Sequence, residues 1–344
     1  MTTNQNIKRI GFACKWAEIN KKGEIVSTEG LNTGGTTLAW AKRNTPSVVE
    51  DKIIEVAKRN ILNTHALVKK IASLEPELRM LRITSDMLSF YTHPDYHYFW
   101  QRQDVQDSLQ RWMAPIGETA RQNDVRLSFH PDQFVVLASD REEVVNNSIR
   151  EFEYHVDMAR WMGYGRTFQD FKINVHISGR QGPEGIKRVM SRLSPEARNC
   201  LTIENDEISW GIDSSLELAD TCALVLDIHH HWVMTGEYIE PTDDRIKRII
   251  DSWKGVRPVI HYSVSREDLL PEHCKSTRPD LTALIESGHN KQKIRAHSDY
   301  YWNDAVNQWA ITHNEWADMM CESKAKNLAS FTLYDTYIKK VQNV

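Results

Sequence analysis

Long apolar runs, paired cysteines and an excess of basic charge are all missing from this chain, and each absence narrows what it can be. No apolar stretch approaches the roughly 20 residues needed to cross a bilayer, so no membrane partner is expected. The five cysteines, Cys14, Cys200, Cys222, Cys274 and Cys321, are scattered and form no CxxC pair. That sets aside a disulfide framework and a thiolate zinc site, and it suits a reducing compartment. Met1 to Ile10 lacks the apolar region of a secretion signal, so the expected setting is the cytoplasm, or a host cytoplasm if the gene is viral. The 43 basic and 47 acidic residues leave a net charge of −4. This excludes a bulk polycation but permits a local basic groove. Repeats, low-complexity tracts and Pro/Gly/Ser linkers are also absent, and Gly34-Gly35 follows no strand, so the Gly-rich phosphate turn of a doubly wound sheet is missing. The 344 residues read as one domain, 1–344, large enough for a substantial core.

What is present is an alternation of helical and strand patterns. Ser47-Val-Val-Glu50 has the form of a capping box opening a long helix through Ile53, Ala57, Ile61, Val68 and Ile71. Further helices are expected over 104–122, 140–162, 214–222, 242–253 and 323–340. Between them lie short apolar runs at 7–14, 80–84, 125–129, 173–175, 201–203, 223–226, 258–260 and 318–321. Continuous apolar strands alternating with helices imply parallel strands covered on both faces. Eight such units predict a single (β/α)8 TIM barrel with enlarged loops at its C-terminal face.

The chemistry sits just beyond those runs. Leu127-Ser-Phe-His130, Asn174-Val-His176, Leu201-Thr-Ile-Glu204, Leu224-Val-Leu-Asp227, Val259-Ile-His261 and Met319-Met-Cys-Glu322 each end on a metal-capable side chain, and Asp227-Ile-His-His230 adds another. A lone histidine there is more often structural, and a lone carboxylate often caps the next helix. Six such endings are another matter, because the C-terminal ends of barrel strands meet in one ring. Of His229-His230-His231, at most two can face one centre. Imidazole and carboxylate without thiolate suit zinc, manganese or iron. The number of ligands favours more than one divalent ion, with a carboxylate such as Glu204 between them. Clustered ions of this kind serve hydrolysis of phosphate esters.

These residues resemble a known family. The blocks are Arg82-Ile-Thr-Ser-Asp-Met, Phe90-Tyr-Thr-His93-Pro94, Leu127-Ser-Phe-His130-Pro-Asp-Gln133-Phe134, Asn174-Val-His176-Ile-Ser-Gly179 and Leu201-Thr-Ile-Glu204-Asn205-Asp206-Glu207. Asp227-Ile-His-His230, His261-Tyr-Ser, Arg295-Ala-His297-Ser-Asp299-Tyr300 and Glu322-Ser-Lys324-Ala-Lys326 complete the set. In order and over nearly the whole chain, they resemble the UV damage endonucleases, barrel relatives of endonuclease IV. The resemblance implies incision of double-stranded DNA immediately 5′ of UV photoproducts, with abasic sites as a further substrate, leaving a 3′ hydroxyl for downstream repair proteins. It implies two or three divalent ions, manganese first, with zinc, magnesium or cobalt as alternatives. The implied ligands are His93, His130, His176, Glu204, Asp227, His230, His261, His297 and Glu322, with Glu204, Glu322, His130 and His261 as the catalytic set. His93 and His297 rest on the resemblance alone. Gln133 and Phe134 match a Gln-Tyr pair that relatives push into the duplex at the lesion, where unstacking a damaged step is least costly.

Departures from the family pattern are equally specific. Relatives often carry lysine two residues before the histidine matched by His261, where this chain has Val259; any role of that lysine is absent or relocated. Phe134 lacks the hydroxyl of the family's tyrosine. Phe12 and Trp16 stand where some relatives place polar lesion-contacting groups, and are expected to face the lesion. Phosphate contacts are expected from the basic run ending in Lys291, Lys293 and Arg295, from Arg180 and from Lys15. Trp112, Trp161, Trp253 and Trp309 read as core, while Trp232 and Trp302 lie near loops that could stack on DNA. Two other classes stay open: a barrel sugar isomerase or epimerase, and a non-catalytic lesion-binding protein. A monomer is expected.

Overall fold

A computed structural model describes residues 7–339. Eight parallel strands form one sheet that curls into a barrel. They are β1 (Ile10–Cys14), β4 (Met80–Ile83), β5 (Arg126–Phe129), β6 (Lys172–His176), β7 (Leu201–Glu204), β8 (Ala223–Val225), β9 (Val259–Tyr262) and β10 (Asp318–Cys321). Their order around the wall is β8-β7-β6-β5-β4-β1-β10-β9. Each coincides with one of the eight apolar runs, shifted by at most three residues at an end. Two further short strands, β2 (Ala17–Ile19) and β3 (Ile25–Ser27), form an antiparallel hairpin after β1. The β8–β9 seam is not laddered. It closes through one parallel bridge, Asp227 to His261, where the His261 N–H donates to the Leu226 carbonyl at 3.0 Å.

Helices lie between the strands. The helix Pro46–Ala72 packs against Gln103–Gln122 and buries Val49, Ile53, Ala57, Ile61 and Val68. The expected capping box at Ser47 is not used. Pro46 takes the first helical turn, where its missing N–H is no loss, and Thr45 stands at the cap without a side-chain bond. The expected helix over 214–222 is shorter, an α turn at Ile212–Ser215 followed by a 3₁₀ turn at Leu216–Leu218. The last α-helix runs Asn327–Tyr334 and continues as a π-helical turn over Asp335–Lys339; its expected end at Lys340 lies outside the described residues. Among the described residues no helix is long and apolar enough to cross a membrane.

Strand alternation places two opposite charge clusters inside the barrel. At the N-terminal end the buried Asp318 carboxylate accepts from Arg126 at 2.7 Å and Arg257 at 2.8 Å, and takes the Arg9 backbone N–H at 3.0 Å. At the C-terminal end the inward positions carry histidines and carboxylates instead. Lys172 leads the inward row of β6, two and four residues before Asn174 and His176.

Candidate metal centre and its surroundings

Glu204 is the hub. It ends β7, is fully buried, and turns its two oxygens toward different partners. Oε2 lies 3.2 Å from His130 Nε2 and 3.4 Å from His176 Nε2, and those nitrogens are 3.1 Å apart. Oε1 lies 2.9 Å from His261 Nδ1, which is 3.3 Å from Glu322 Oε1. Three overlapping sets result: His130, His176 and Glu204; His130, His261 and Glu322; Glu204, Asp227 and His261. An octahedral ion with bonds of about 2.1 Å has ligand–ligand edges of about 3 Å, so these separations suit a shared cation.

Asp227 carries a more telling sign. Its Oδ1 caps the helix Ile228–Thr235, accepting the N–H groups of His229 at 2.8 Å and His230 at 2.7 Å. Its Oδ2 is buried with no hydrogen-bond partner. The cap therefore uses one oxygen and leaves the other free to serve as a ligand. An orphaned carboxylate oxygen is expensive to bury, and burial beside Glu204 and Glu322 pushes the Asp227 carboxyl well up. A divalent cation would relieve that penalty. The residues present fit such an ion.

The surrounding histidines are shifted in opposite directions. Burial pushes the His130 imidazole down to about 3, leaving it neutral, as a ligand must be. His230 goes the other way. Burial opposes its charge, but Asp227, Glu204 and Glu207 outweigh that and raise it to about 9. His230 Nδ1 stands 3.7 Å from both Glu204 Oε1 and Asp227 Oδ2. His229 stacks on Trp232, and His231 pairs with Glu237 at 2.9 Å. His297 lies at the edge of the cluster with its ring facing His229. His93 is apart, half-buried between Phe90 and Tyr96, and belongs to none of the three sets.

Several residues of the centre had no role in the sequence reading. Lys172 Nζ lies 2.8 Å from His261 Nε2, fully enclosed, and burial lowers its ammonium to about 7. Asn174 donates to Glu204 Oε2, and Arg82 pairs with Glu322. Asn205 clasps Asp227 through the latter's N–H and carbonyl. The only signal for Lys172 was a cationic residue at an inward strand position. Val259 packs with Met80, Ala223 and Trp253 in the core.

Around the centre, the expected DNA-facing residues divide. Gln133 is exposed and Phe134 is 77% exposed on the loop after β5, which excludes a core role for that ring. Phe12 and Trp16 are corrections: Phe12 is fully buried, and Trp16 sits edge-on to Phe12 and Phe331 under the Lys70 ammonium. The helix Asn327–Tyr334 covers them, so neither can reach a lesion. Trp232 and Trp302 are buried as well. Trp161, Trp253 and Trp309 are core, and Trp112 is half-buried. In the basic run, Arg295 is already paired, with Glu207 at 2.7 Å. Arg180 pairs with Asp140 at 3.1 Å. Lys291 is exposed and donates to the Met234 carbonyl at 3.0 Å, and Lys293 and Lys15 are exposed.

The fold and this ring of donors define a (β/α)8 protein built to hold divalent cations at the mouth of its barrel. Residues 8–344 match the family described as UV-endonuclease UvdE, and the chain belongs to that family. It is 25% identical over 298 residues to a UV DNA damage endonuclease of Bacillus cereus (strain B4264), covering 83% of each chain. It is 26% identical over 318 residues to one from Bacillus velezensis, covering 87% of each. The crystal structure of SacUVDE shares the fold at a TM-score of 0.71 with 24% identity, over 98% of this chain and 99% of that one. Endonuclease IV from Thermus thermophilus aligns at a TM-score of 0.51 with 13% identity, over 81% and 94% of the two chains.

Proposed function

We propose that the protein is a metal-dependent DNA repair endonuclease that cuts duplex DNA immediately 5′ of UV photoproducts. Cyclobutane dimers and 6-4 photoproducts are the first substrates, with abasic sites also accepted. The observation that carries this reading is the division of Glu204 between two ligand sets, beside a buried Asp227 oxygen with no hydrogen-bond partner. Divalent ions, manganese first, would be held by His130, His176, Glu204, Asp227, His261 and Glu322, with His230, His297 and His93 completing the set around the substrate. Once bound they supply Lewis acidity and an acidified water for in-line displacement.

In the hydrolysis, a water oxygen attacks the phosphorus and the P–O3′ bond breaks. The released oxygen takes a proton, leaving a 3′ hydroxyl and a 5′ phosphate. Glu204 and Glu322 hold the negative side of the reacting centre, and His130 and His261 orient the polar groups around it. Lys172 reaches His261 from another strand, supplying near that histidine the amine that position 259 does not. Gln133 and Phe134 enter the duplex where the lesion has weakened stacking, so deformability and not base sequence selects the site. Lys15, Lys291 and Lys293 contact phosphates; Arg180 and Arg295 join them by exchanging their carboxylate partners. The protein acts as a monomer in the cytoplasm or at the nucleoid and passes its nicked product to repair synthesis.

The test is nicking of supercoiled plasmid, irradiated or not, with manganese or with chelator. Nicking confined to irradiated DNA with metal supports the reading. Glu204→Gln is expected to lower nicking by at least about 100-fold while lesion binding persists. Normal nicking by that variant would place the centre elsewhere, and no effect of wild-type protein on irradiated plasmid would refute the function.

A further inference from the structure

Lys326 has a backbone that lysine does not favour. It sits at φ 56° and ψ −129° in the turn joining Glu322 to the helix Asn327–Tyr334. That conformation belongs to the first central position of a II′ turn, where glycine is the unstrained residue. The turn is held firmly. Lys324 and Ala325 donate backbone N–H groups to Ser298 and Asp299, both at 3.1 Å, and the buried Asn327 side chain exchanges two hydrogen bonds with the Ala17 backbone, at 2.7 and 3.0 Å. A strained residue kept in a fixed turn beside a reactive centre is where strain serves a function.

The charge pattern says which function. Arg82 is tied to Glu322, Arg295 to Glu207, Arg180 to Asp140 and Lys187 to Glu184. Among the described residues, the half-buried Lys326 ammonium has no carboxylate within ion-pair distance. Cys14, Arg82, Glu322 and Lys15 are the charged and titratable groups close enough to act on it, which puts it at the rim of the metal centre. Lys15 is exposed one residue beyond Cys14, which is also at positive φ. A half-buried ammonium without an ion pair, beside a Glu322 already taken by Arg82, calls for an external anion.

We propose that Lys326, assisted by Lys15, binds a DNA backbone phosphate next to the scissile one on the cut strand. This rests on the endonuclease reading above and adds to it a phosphate subsite. The experiment uses the whole protein with manganese and duplexes carrying one cyclobutane dimer, with a single uncharged methylphosphonate moved along the phosphates flanking the cut. In wild type, one such replacement is expected to lower kcat/KM about tenfold; in Lys326→Gly the same replacement should have no effect. Lys326→Gly should also reduce the slope of log(kcat/KM) against log[salt] by about 0.9, one phosphate's worth, while raising Tm, since glycine relieves the turn. Lys326→Arg should restore the slope. If wild type cuts the duplex but the methylphosphonate profile or the salt slope is the same in Lys326→Gly, the subsite is refuted and the endonuclease reading stands. If wild type does not cut, both fall together.

Discussion

Lys172→Met should make the protein more stable and less active. The ammonium is fully enclosed below His261, and burial lowers it from 10.5 to about 7. At about 1.4 kcal/mol per tenfold change in proton affinity, that fall corresponds to about 5 kcal/mol. The group binds its proton more weakly folded than unfolded, so the penalty is full below about pH 7 and fades as pH rises toward 10.5. Losing the hydrogen bond to His261 offsets about 1 kcal/mol. Without metal at pH 6.5, the variant should therefore be about 3–4 kcal/mol more stable than wild type by urea titration. The gap should narrow steadily from pH 7 to 10. Its nicking of irradiated plasmid should fall, because His261 loses the partner that fixes its ring. A variant no more stable than wild type at pH 6.5, or a gap independent of pH, would show that Lys172 is not held against its own charge.

Other outcomes follow from the same geometry. His230 is raised to about 9 by Asp227, Glu204 and Glu207 against its burial, so it is charged at pH 7 without metal, and its stabilisation is lost as pH climbs through 9. Metal uptake at pH 7 should then expel about one proton, read by calorimetry in buffers of different ionisation enthalpy; uptake without proton release would refute this. Gln133→Ala with Phe134→Ala should lower the preference for irradiated over intact DNA by about tenfold or more, on a stacking contribution of about 1–3 kcal/mol, measured by competition nicking. Trp16→Ala should lower stability by about 3–5 kcal/mol without changing the salt dependence of nicking, as expected of a core residue and not of a lesion contact.

Much of this architecture is legible in the sequence because each barrel strand is buried on both sides and must be apolar throughout. Ile173–Val175 or Leu201–Ile203 can therefore be found without alignment, and the polar residue that follows marks the barrel mouth. The ligand cluster is legible for the same topological reason. What stays hidden depends on contacts between distant segments. Phe12 and Trp16 look like mouth residues until the helix Asn327–Tyr334, from the far end of the chain, is seen to lie over them. Arg295 looks unpaired until Glu207 meets it from another loop. Lys172 is invisible because lysine at a strand start ordinarily points to water, whereas here it shares the inward row of β6 and meets His261 from a distant strand.

The seam between β8 and β9 carries a mechanical consequence. One backbone bridge closes the barrel there, and the two residues that make it, Asp227 and His261, also offer ligand atoms alongside Glu204 of β7. A cation held by those three side chains rivets three consecutive staves of the wall across its weakest joint. Stripping such a cation would remove a fastener as well as a reagent. Hydrogen exchange in chelator should quicken first at the His261 amide and along β8, while the laddered wall from β4 to β6 keeps its protection.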